Sequence, residues 1–298
     1  MKSEIKNTTK TQIFDIRILD KVGPWLKSMG IKYNATRFGA STKVFKKWSA
    51  DLKTPSFREL WGIAELMELC EFYNSFHSGE EDIKDLIHLI QRGSTTLEKS
   101  QSCSARDYSF ELKVASRFKR AGFNIINDKS HDVIVEKDGK KLFLECKRPR
   151  KESTIVNNIS YAYDEQFKDL ANRQEQAILC IDLSNILYDR FVKSFKEKGE
   201  ENITTNKEAL EAFRDNYDRY NKNFLEENAS KIVHGVRMVI LSYSFPVFME
   251  KPTGSGIITF QKFNHFTRIT NFSDELDSTV SQALNLSTGV QFGDGAVN

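Results

Sequence analysis

The stretch HDVIVEKDGKKLFLECK, residues 131–147, decides the fold of this chain. Two runs in which apolar residues alternate with polar ones flank the pair Asp138-Gly139. An Asp-Gly pair is a strong signal for a two-residue hairpin loop, because a type I′ turn needs positive φ at both central positions. The sequence therefore predicts strands at about 131–136 and 141–147, joined by a tight turn.

This turn also predicts the register of the hairpin. Lys137 faces Lys140, so the numbers of facing residues sum to 277. Asp132 then lies opposite Glu145, with the two Cβ atoms about 4.5–5.5 Å apart. Because side chains alternate along a strand, Glu145 and Lys147 share one face. The opposite, aliphatic face is formed by Val133, Val135, Leu142, Leu144 and Cys146.

The two facing carboxylates indicate a cation site. Carboxylates side by side repel each other and are costly to hold without a compensating positive charge. Hard oxygen ligands at this separation suit Mg²⁺ or Mn²⁺. The ammonium of Lys147 on the same face adds a group that stabilises charge on phosphoryl oxygens. The pattern therefore favours hydrolysis of phosphodiester bonds.

The 298 residues are enough for one large domain or two ordinary ones. Residues 20–100 have helical texture, with apolar stripes broken by glycine and proline. A short strand is predicted at 13–18, where apolar and charged residues alternate. The Ser/Thr-rich stretch 94–104 is the predicted linker, with Gly93 ending the helix before it.

After the linker, the pattern changes to alternating helices and strands. A helix is predicted at 107–121, with Phe110, Val114 and Phe118 on one side and Gly122 as its stop. The remaining predicted elements are a helix at 159–175, a buried strand at 177–183, a charged helix at 207–228, and strands at 236–243 and 257–263. The glycine-containing tail, 287–298, is expected to be flexible.

Charge is unevenly distributed along the chain, although the net charge is only +3. Residues 1–60 carry 13 Lys or Arg against five Asp or Glu, residues 61–105 carry three against eight, and residues 106–153 carry 13 against eight. Two basic regions around an acidic one suit phosphate contacts on two surfaces. Solvated helix faces are the alternative for either region alone.

Several protein classes are disfavoured by the sequence. The N-terminus lacks the apolar core of a signal peptide. The apolar stretch 236–249 is interrupted by polar residues and by Pro246, so it is read as a strand and not as a membrane span. The four cysteines form no CxxC pair and no zinc-like cluster with the five histidines. We therefore expect a cytoplasmic protein with no membrane partner.

Taken together, the motif and the order of elements resemble the PD-(D/E)xK nuclease superfamily. Asp132, twelve further residues and then Glu145-Cys146-Lys147 match its D…ExK signature. The order helix, strand with Asp, strand with ExK, helix and strand is similar to its core. The resemblance implies an α/β fold, a restriction-endonuclease-like mixed-sheet core flanked by helices at 105–286, preceded by a mainly helical N-terminal region at 1–104.

The resemblance also implies roles for particular residues. Asp132 and Glu145 would ligate Mg²⁺, with Mn²⁺ as a substitute, and the main-chain carbonyl of Cys146 would be a further ligand. Lys147 would be the catalytic lysine. Glu111, on the first core helix, would join both the catalytic and the metal site. The implied function is a metal-dependent endonuclease acting on DNA, and RNA stays open as a substrate.

The sequence departs from the family pattern at one position and leaves another ambiguous. His131 stands where the family usually has proline before the aspartate, and an accessory acid or base is one role for it, a histidine without a task the other. Some branches of the family add a glutamine on the next helix. Gln166 is the position carried over, with Gln174 and Gln176 nearby.

Basic residues follow the motif directly. Arg148, Arg150 and Lys151 are predicted to contact nucleic-acid phosphates, and a solvated loop is the alternative. Glu111 likewise has an alternative as an exposed acid near a helix start, favoured by the helix dipole. Asp182 is expected to bond to backbone at a strand end, with a role as a further site acid as the alternative.

Two other function classes compete with the nuclease reading. One is a nucleic-acid-binding or scaffolding protein that keeps the nuclease fold without catalysis, although the retained motif residues argue against it. The other is a protein-interaction role carried by the N-terminal region, through a homodimer or a protein partner.

Overall fold

The structure, a computed structural model, describes only part of the chain. The described residues are 4–13, 16–51, 57–79, 83–91, 104–126, 130–167, 176–187, 193, 203–204, 238–250, 258–270 and 278–283. The predicted Gly93 stop, almost all of the linker at 94–104, the helix at 207–228 and the tail at 287–298 lie outside them.

The described elements follow one another in a mixed α/β order. The helices are α1 (Leu19–Ser28), α2 (Arg37–Asp51), α3 (Phe57–Phe76), α4 (Lys84–Ile90), α5 (Ser104–Arg120) and α6 (Ile155–Tyr161). The strands are β1 (Glu4–Ile13), β2 (Asn124–Ile126), β3 (Val133–Lys137), β4 (Lys140–Lys147), β5 (Gln176–Asp182), β6 (Ile203–Thr204), β7 (Met238–Glu250) and β8 (Ile258–Thr270).

All eight strands belong to one mixed sheet with the order β1-β8-β7-β5-β4-β3-β2, and β6 pairs with β7. The central strands β4, β5 and β7 are parallel. The outer pairs β1–β8, β7–β8, β3–β4 and β2–β3 are antiparallel. The chain is therefore an α/β protein with a mixed sheet. Among the described residues, none of the helices has the length and hydropathy that crossing a membrane requires.

The predicted strand at 13–18 is wrong. The strand of this region is β1, which ends at Ile13, and residues 16–18 form a 3-10 turn. β1 lies at the edge of the sheet and pairs along its whole length with β8, from Glu4 opposite Thr270 to Ile13 opposite Gln261. β1 is held in the sheet by its backbone pairing with β8. Its mostly polar sequence has no regular alternation of apolar and polar side chains, so the strand could not be predicted from it.

Helix α5 forms as predicted, although it begins three residues earlier. Phe110, Val114 and Phe118 are buried along one side of it. The helix stops because Gly122 takes a φ of +83°, a conformation that favours glycine. The amide of Phe123 then donates to the carbonyl of Phe118 over 3.1 Å, which satisfies one of the last carbonyls of the helix.

One hydrophobic cluster joins α5, the sheet and the preceding helices. Its sheet residues come from alternate positions of β3, β4, β5 and β7 and include Val133, Val135, Leu142, Leu144, Ile178, Cys180 and Ile240. Its helical residues include Trp25 of α1, Leu60 of α3 and Ile87 of α4. The division into 1–104 and 105–286 stays a prediction. The apolar faces of α1, α3 and α4 pack in the same hydrophobic cluster as the apolar face of α5.

A buried ion triad fastens three of these helices together. Glu65 of α3 contacts Arg37 of α2, and its other oxygen lies 2.6 Å from Nε of Arg106 on α5. Arg37 also donates through Nε to the carbonyl of Ile90 over 2.9 Å. The triad thus holds α5, the helix that carries Glu111, against the preceding helices.

The second face of the sheet is also buried. The parallel strands β4 and β5 need a crossover connection that passes over one face of the sheet. Ile134, Phe143, Leu179 and Ile181 are buried on this second face. The predicted helix at 159–175 begins earlier, as α6, and continues as a π-helical segment, Ala162–Phe167. Residues 168–175 lie outside the described part.

Strands β7 and β8 are longer than predicted, with 13 residues each. They form a continuous ladder from Met238 opposite Thr270 to Glu250 opposite Ile258. Pro246 interrupts the apolar pattern but not the strand. Among the described residues, β7 pairs with β5 as far as Ser242 and with β6 from Phe248 onward, so Pro246 lies in the gap between these two partners, a position that proline tolerates.

Candidate active site

The hairpin has the predicted turn and register. Asp138 and Gly139 have φ values of +52° and +74°, as a type I′ turn requires. The paired residues run from Val133 opposite Leu144 to Lys137 opposite Lys140, and every pair sums to 277. The aliphatic face lies in the main hydrophobic cluster, with Cys146 packed against it. The register on which the site depends is confirmed.

Asp132 lies just outside the ladder, because β3 begins at Val133 and not at residue 131 as predicted. Its Oδ2 accepts a hydrogen bond of 2.8 Å from the main-chain N–H of Cys146. The charge of Glu145 acts on this carboxyl group, and the same lysine, Lys147, forms ion pairs with both acids. The predicted meeting of the two carboxyl groups therefore occurs, through a bend in the chain instead of a ladder pair.

Glu145 and Lys147 lie on the same face of β4, as predicted. The side chain of Glu145 is 0% exposed, and its Oε2 lies 3.2 Å from Nζ of Lys147. The same Nζ lies 3.6 Å from Oδ2 of Asp132. The exposed fractions of Lys147 and Asp132 are 18% and 26%, so the site opens to solvent on their side. One ammonium thus bridges two carboxyl groups at the end of the hairpin.

The two carboxyl groups have opposite pKa shifts. Burial, and then the charge of Glu145, raise the pKa of Asp132. Burial also acts to raise the pKa of Glu145, but the hydrogen bond from His131 and the charge of Lys147 outweigh it, and the pKa of Glu145 is lowered. Glu145 is therefore the carboxyl group of the pair that holds its negative charge more strongly.

Glu111 belongs to the same electrostatic environment. Its pKa is raised to about 8, first by burial and then by the charges of Asp132 and Asp107, while Lys147 opposes the shift. Because α5 begins at Ser104, Glu111 lies two turns inside the helix. The alternative of an exposed acid near the helix start therefore loses its basis, since the dipole effect falls off within the first turn.

The donor set at this point fits a hard divalent cation. Asp132 and Glu145 both form ion pairs with Lys147. Glu111 lies in the same electrostatic environment, since its pKa is raised first by burial and then by the charge of Asp132, and Lys147 offsets this shift only in part. In the described part of the chain, no three His, Cys, Asp or Glu side chains are grouped closely enough to hold an ion by themselves. Mg²⁺ is commonly bound through only one or two carboxylates, which Asp132 and Glu145 supply.

The predicted phosphate-contacting residues differ in their surroundings. Arg148 is mostly buried and donates through Nε to Oδ2 of Asp182 over 2.9 Å and through Nη2 to Asn185 over 3.2 Å. Asp182 also accepts from the main-chain N–H of Ser184 over 3.0 Å, as expected for a strand-end carboxylate. The ion pair links the ends of β4 and β5 and already occupies the guanidinium of Arg148.

The other predicted contact residues are more accessible. Arg150 is 29% exposed and lies 4.0 Å from Asp107 on α5, and Lys151 is exposed. Gln166 lies in the π-helical segment, and its Oε1 is buried without a hydrogen-bond partner among the described residues. Its alternative Gln176 begins β5, while Gln174 lies outside the described part.

Sequence reasoning missed the contact between His131 and Glu145. Nδ1 of His131 lies 2.9 Å from Oε1 of Glu145. Continuing the ladder to residue 131 would have placed this histidine opposite Cys146, on the aliphatic face. The bend before β3 brings it to the other face instead. The sequence holds one indirect signal of that bend, since the polar His131 stands where an unbroken alternation would require an apolar residue.

The fold and the site define an α/β protein with an acidic site in which one lysine forms ion pairs with two carboxyl groups. Comparisons with protein-family models, with curated proteins and with solved structures found no match. The resemblance to the nuclease superfamily therefore depends on the motif residues, their register and the order of the elements.

Proposed function

We propose that this protein is a metal-dependent endonuclease that hydrolyses phosphodiester bonds in DNA, with a restriction-endonuclease-like core. The observation that carries the proposal is the ion pairing of Asp132 and Glu145 with Lys147 at the end of the hairpin, with Glu111 of α5 electrostatically coupled to them. The two paired acids come from a bend and a strand, and the coupled third acid comes from a helix. A site of this composition serves phosphoryl chemistry better than structural stability, because like charges brought together destabilise the fold.

Asp132 and Glu145 are the residues that would hold Mg²⁺ or Mn²⁺, with the carbonyl of Cys146 as a further ligand and Glu111 beside them. When bound, such an ion lowers the pKa of a coordinated water and neutralises charge on a phosphoryl oxygen. Glu145 is suited to this role by its lowered pKa, since a ligand must be ionised to bind.

Lys147 acts as a permanent cation in this scheme. Burial alone would lower the pKa of Lys147. The charges of Asp132 and Glu145 and the hydrogen bond to Glu145 outweigh burial, so the net effect is a raised pKa. The ammonium therefore stays protonated at neutral pH. It can stabilise negative charge on the phosphoryl oxygens and orient the attacking water, but it is unsuited to act as a general base.

Substrate contacts are assigned by exposure. Arg150 and Lys151 follow the motif and are accessible to phosphates, whereas Arg148 holds β4 to β5. Tyr161 on α6 is 58% exposed and offers an aromatic surface for a base. DNA is proposed over RNA because of the family resemblance. The proposal also includes contact of residues 1–104 with a second copy of the chain or with another protein.

The test is nicking of supercoiled plasmid with Mg²⁺, with and without EDTA. Lys147→Ala should slow nicking by about 10²–10³-fold, the usual loss for one stabilising donor. Lys141→Ala is the matched control, because Lys141 is an exposed lysine on the same strand. Equal nicking by all three proteins would refute the assignment of the site. DNA binding without nicking by the wild type would favour the non-catalytic alternative.

A further inference from the structure

His131 lies beside the site through a contact with an aromatic residue. It directly precedes Asp132, and its ring meets the ring of Phe143 edge-on, with centroids 5.1 Å apart and an interplanar angle of 69°. Phe143 lies two residues before Glu145 and therefore on the same face of β4. The ring contact thus holds the imidazole next to the carboxyl group of Glu145.

The hydrogen bond between His131 and Glu145 satisfies a fully buried oxygen. The side chain of Glu145 is 0% exposed, so water has no direct access to it, and Oε1 lies 2.9 Å from Nδ1 of His131. An ionised carboxylate can only accept, which places the proton on Nδ1. A buried carboxylate oxygen without a donor is costly. The other oxygen, Oε2, lies on the side of Lys147.

We infer that His131 is a positioning residue: its Nδ1–H holds Oε1 of Glu145 and so directs Oε2 toward Lys147 and Asp132, where a divalent cation would be bound. The inference rests on the proposed function for its metal. The proline that the family resemblance would place at this position has no side-chain donor, so this chain supports its glutamate in its own way. Groups that hold metal ligands in place usually contribute 10–100-fold to metal affinity.

Two variants separate hydrogen bonding from packing. His131→Asn keeps an N–H close to the position of Nδ1 but removes most of the ring. His131→Phe keeps a ring against Phe143 but removes the donor. His131→Gln is a third variant, of similar size, that places its N–H nearer to the position of Nε2. A positioning role and a packing role therefore predict opposite orders for the first two.

The first measurement is the affinity of each full-length variant for Mn²⁺, by titration calorimetry at one fixed pH. We expect His131→Phe and His131→Gln to bind 10–100-fold more weakly than the wild type, and His131→Asn to stay within about threefold. Wild-type affinity in His131→Phe, or an equally weak affinity in His131→Asn, would overturn the inference. Absence of Mn²⁺ binding by the wild type would overturn the proposed function and this inference together.

The second measurement needs no metal. In EDTA, the urea midpoint of His131→Asn should lie above that of His131→Phe, because the asparagine still donates to the buried oxygen. The reverse order would assign His131 to packing alone and would overturn the inference while leaving the proposed function standing.

Discussion

Glu111 makes the site costly for the fold, and the cost depends on pH. The folded-state pKa of Glu111 is about 8, against an ordinary value of 4.5. Between these values the folded chain binds more protons at this group than the unfolded chain does. Stability therefore falls as pH rises through this window, and the loss is complete above pH 8. Replacing Glu111 with glutamine removes the titration and keeps the shape of the side chain.

The size of the effect follows from the shift. The two pKa values differ by 3.5 units, and each unit corresponds to about 1.36 kcal/mol, which gives an upper limit of roughly 5 kcal/mol above pH 8. Glu111 is partly accessible to solvent, and screening reduces this limit. We expect Glu111→Gln to stabilise the metal-free protein by about 2–3 kcal/mol near pH 9 and by nearly nothing near pH 4.5.

The assay is urea unfolding in EDTA at about pH 5, 7 and 9 for both proteins, so that other titrating groups cancel in the difference. Glu165→Gln is the control, since Glu165 is an exposed acid outside the site, and it should change stability by no more than about 0.5 kcal/mol. A difference between Glu111→Gln and wild type that is the same at all three pH values would refute the reasoning. Slower plasmid nicking by the more stable variant would show that the destabilising acid is kept for catalysis.

Three further predictions test the ligands, the internal ion pair and the end of α5. Saturating Mn²⁺, at about 100 times its Kd, should stabilise the wild type by about 2.7 kcal/mol in thermal unfolding and should stabilise Asp132→Asn far less. Arg148→Ala should destabilise the protein by about 3 kcal/mol in urea, because it leaves Asp182 buried and without its cation, whereas Lys151→Ala should keep stability and make DNA binding less dependent on salt. Gly122→Ala should lower stability by about 1 kcal/mol, because alanine is strained at the φ of +83°.

Local signals were sufficient to predict the hairpin and α5. The Asp138-Gly139 turn sets the register by itself, and each further pair follows from the alternation of side chains. Gly122 ends α5 because of its own backbone freedom. In both cases the information lies within a few residues of the structure that it determines. The same signals placed Glu145 and Lys147 on one face.

Features that depend on distant partners could not be predicted. β1 is a strand only because β8, more than 240 residues away, pairs with it. The burial of Arg148 depends on Asp182, which belongs to the next strand in space. Likewise, the extent of β7 past Pro246 depends on where β5 ends. Neither composition nor periodicity contains these pairings.

The position of the site follows from the point at which the hairpin ladder ends. β3 pairs with β4 from Val133 onward, while Glu145 and Lys147 continue to pair with β5 on the other side. On the β3 side the end of β4 is therefore free, and the bend at Asp132 fills that gap through its bond to the N–H of Cys146. An unbroken ladder would have turned His131 to the aliphatic face and left Oε1 of Glu145 without its donor. The same break thus brings the two carboxyl groups together and supplies the hydrogen bond that lets one of them stay buried and charged.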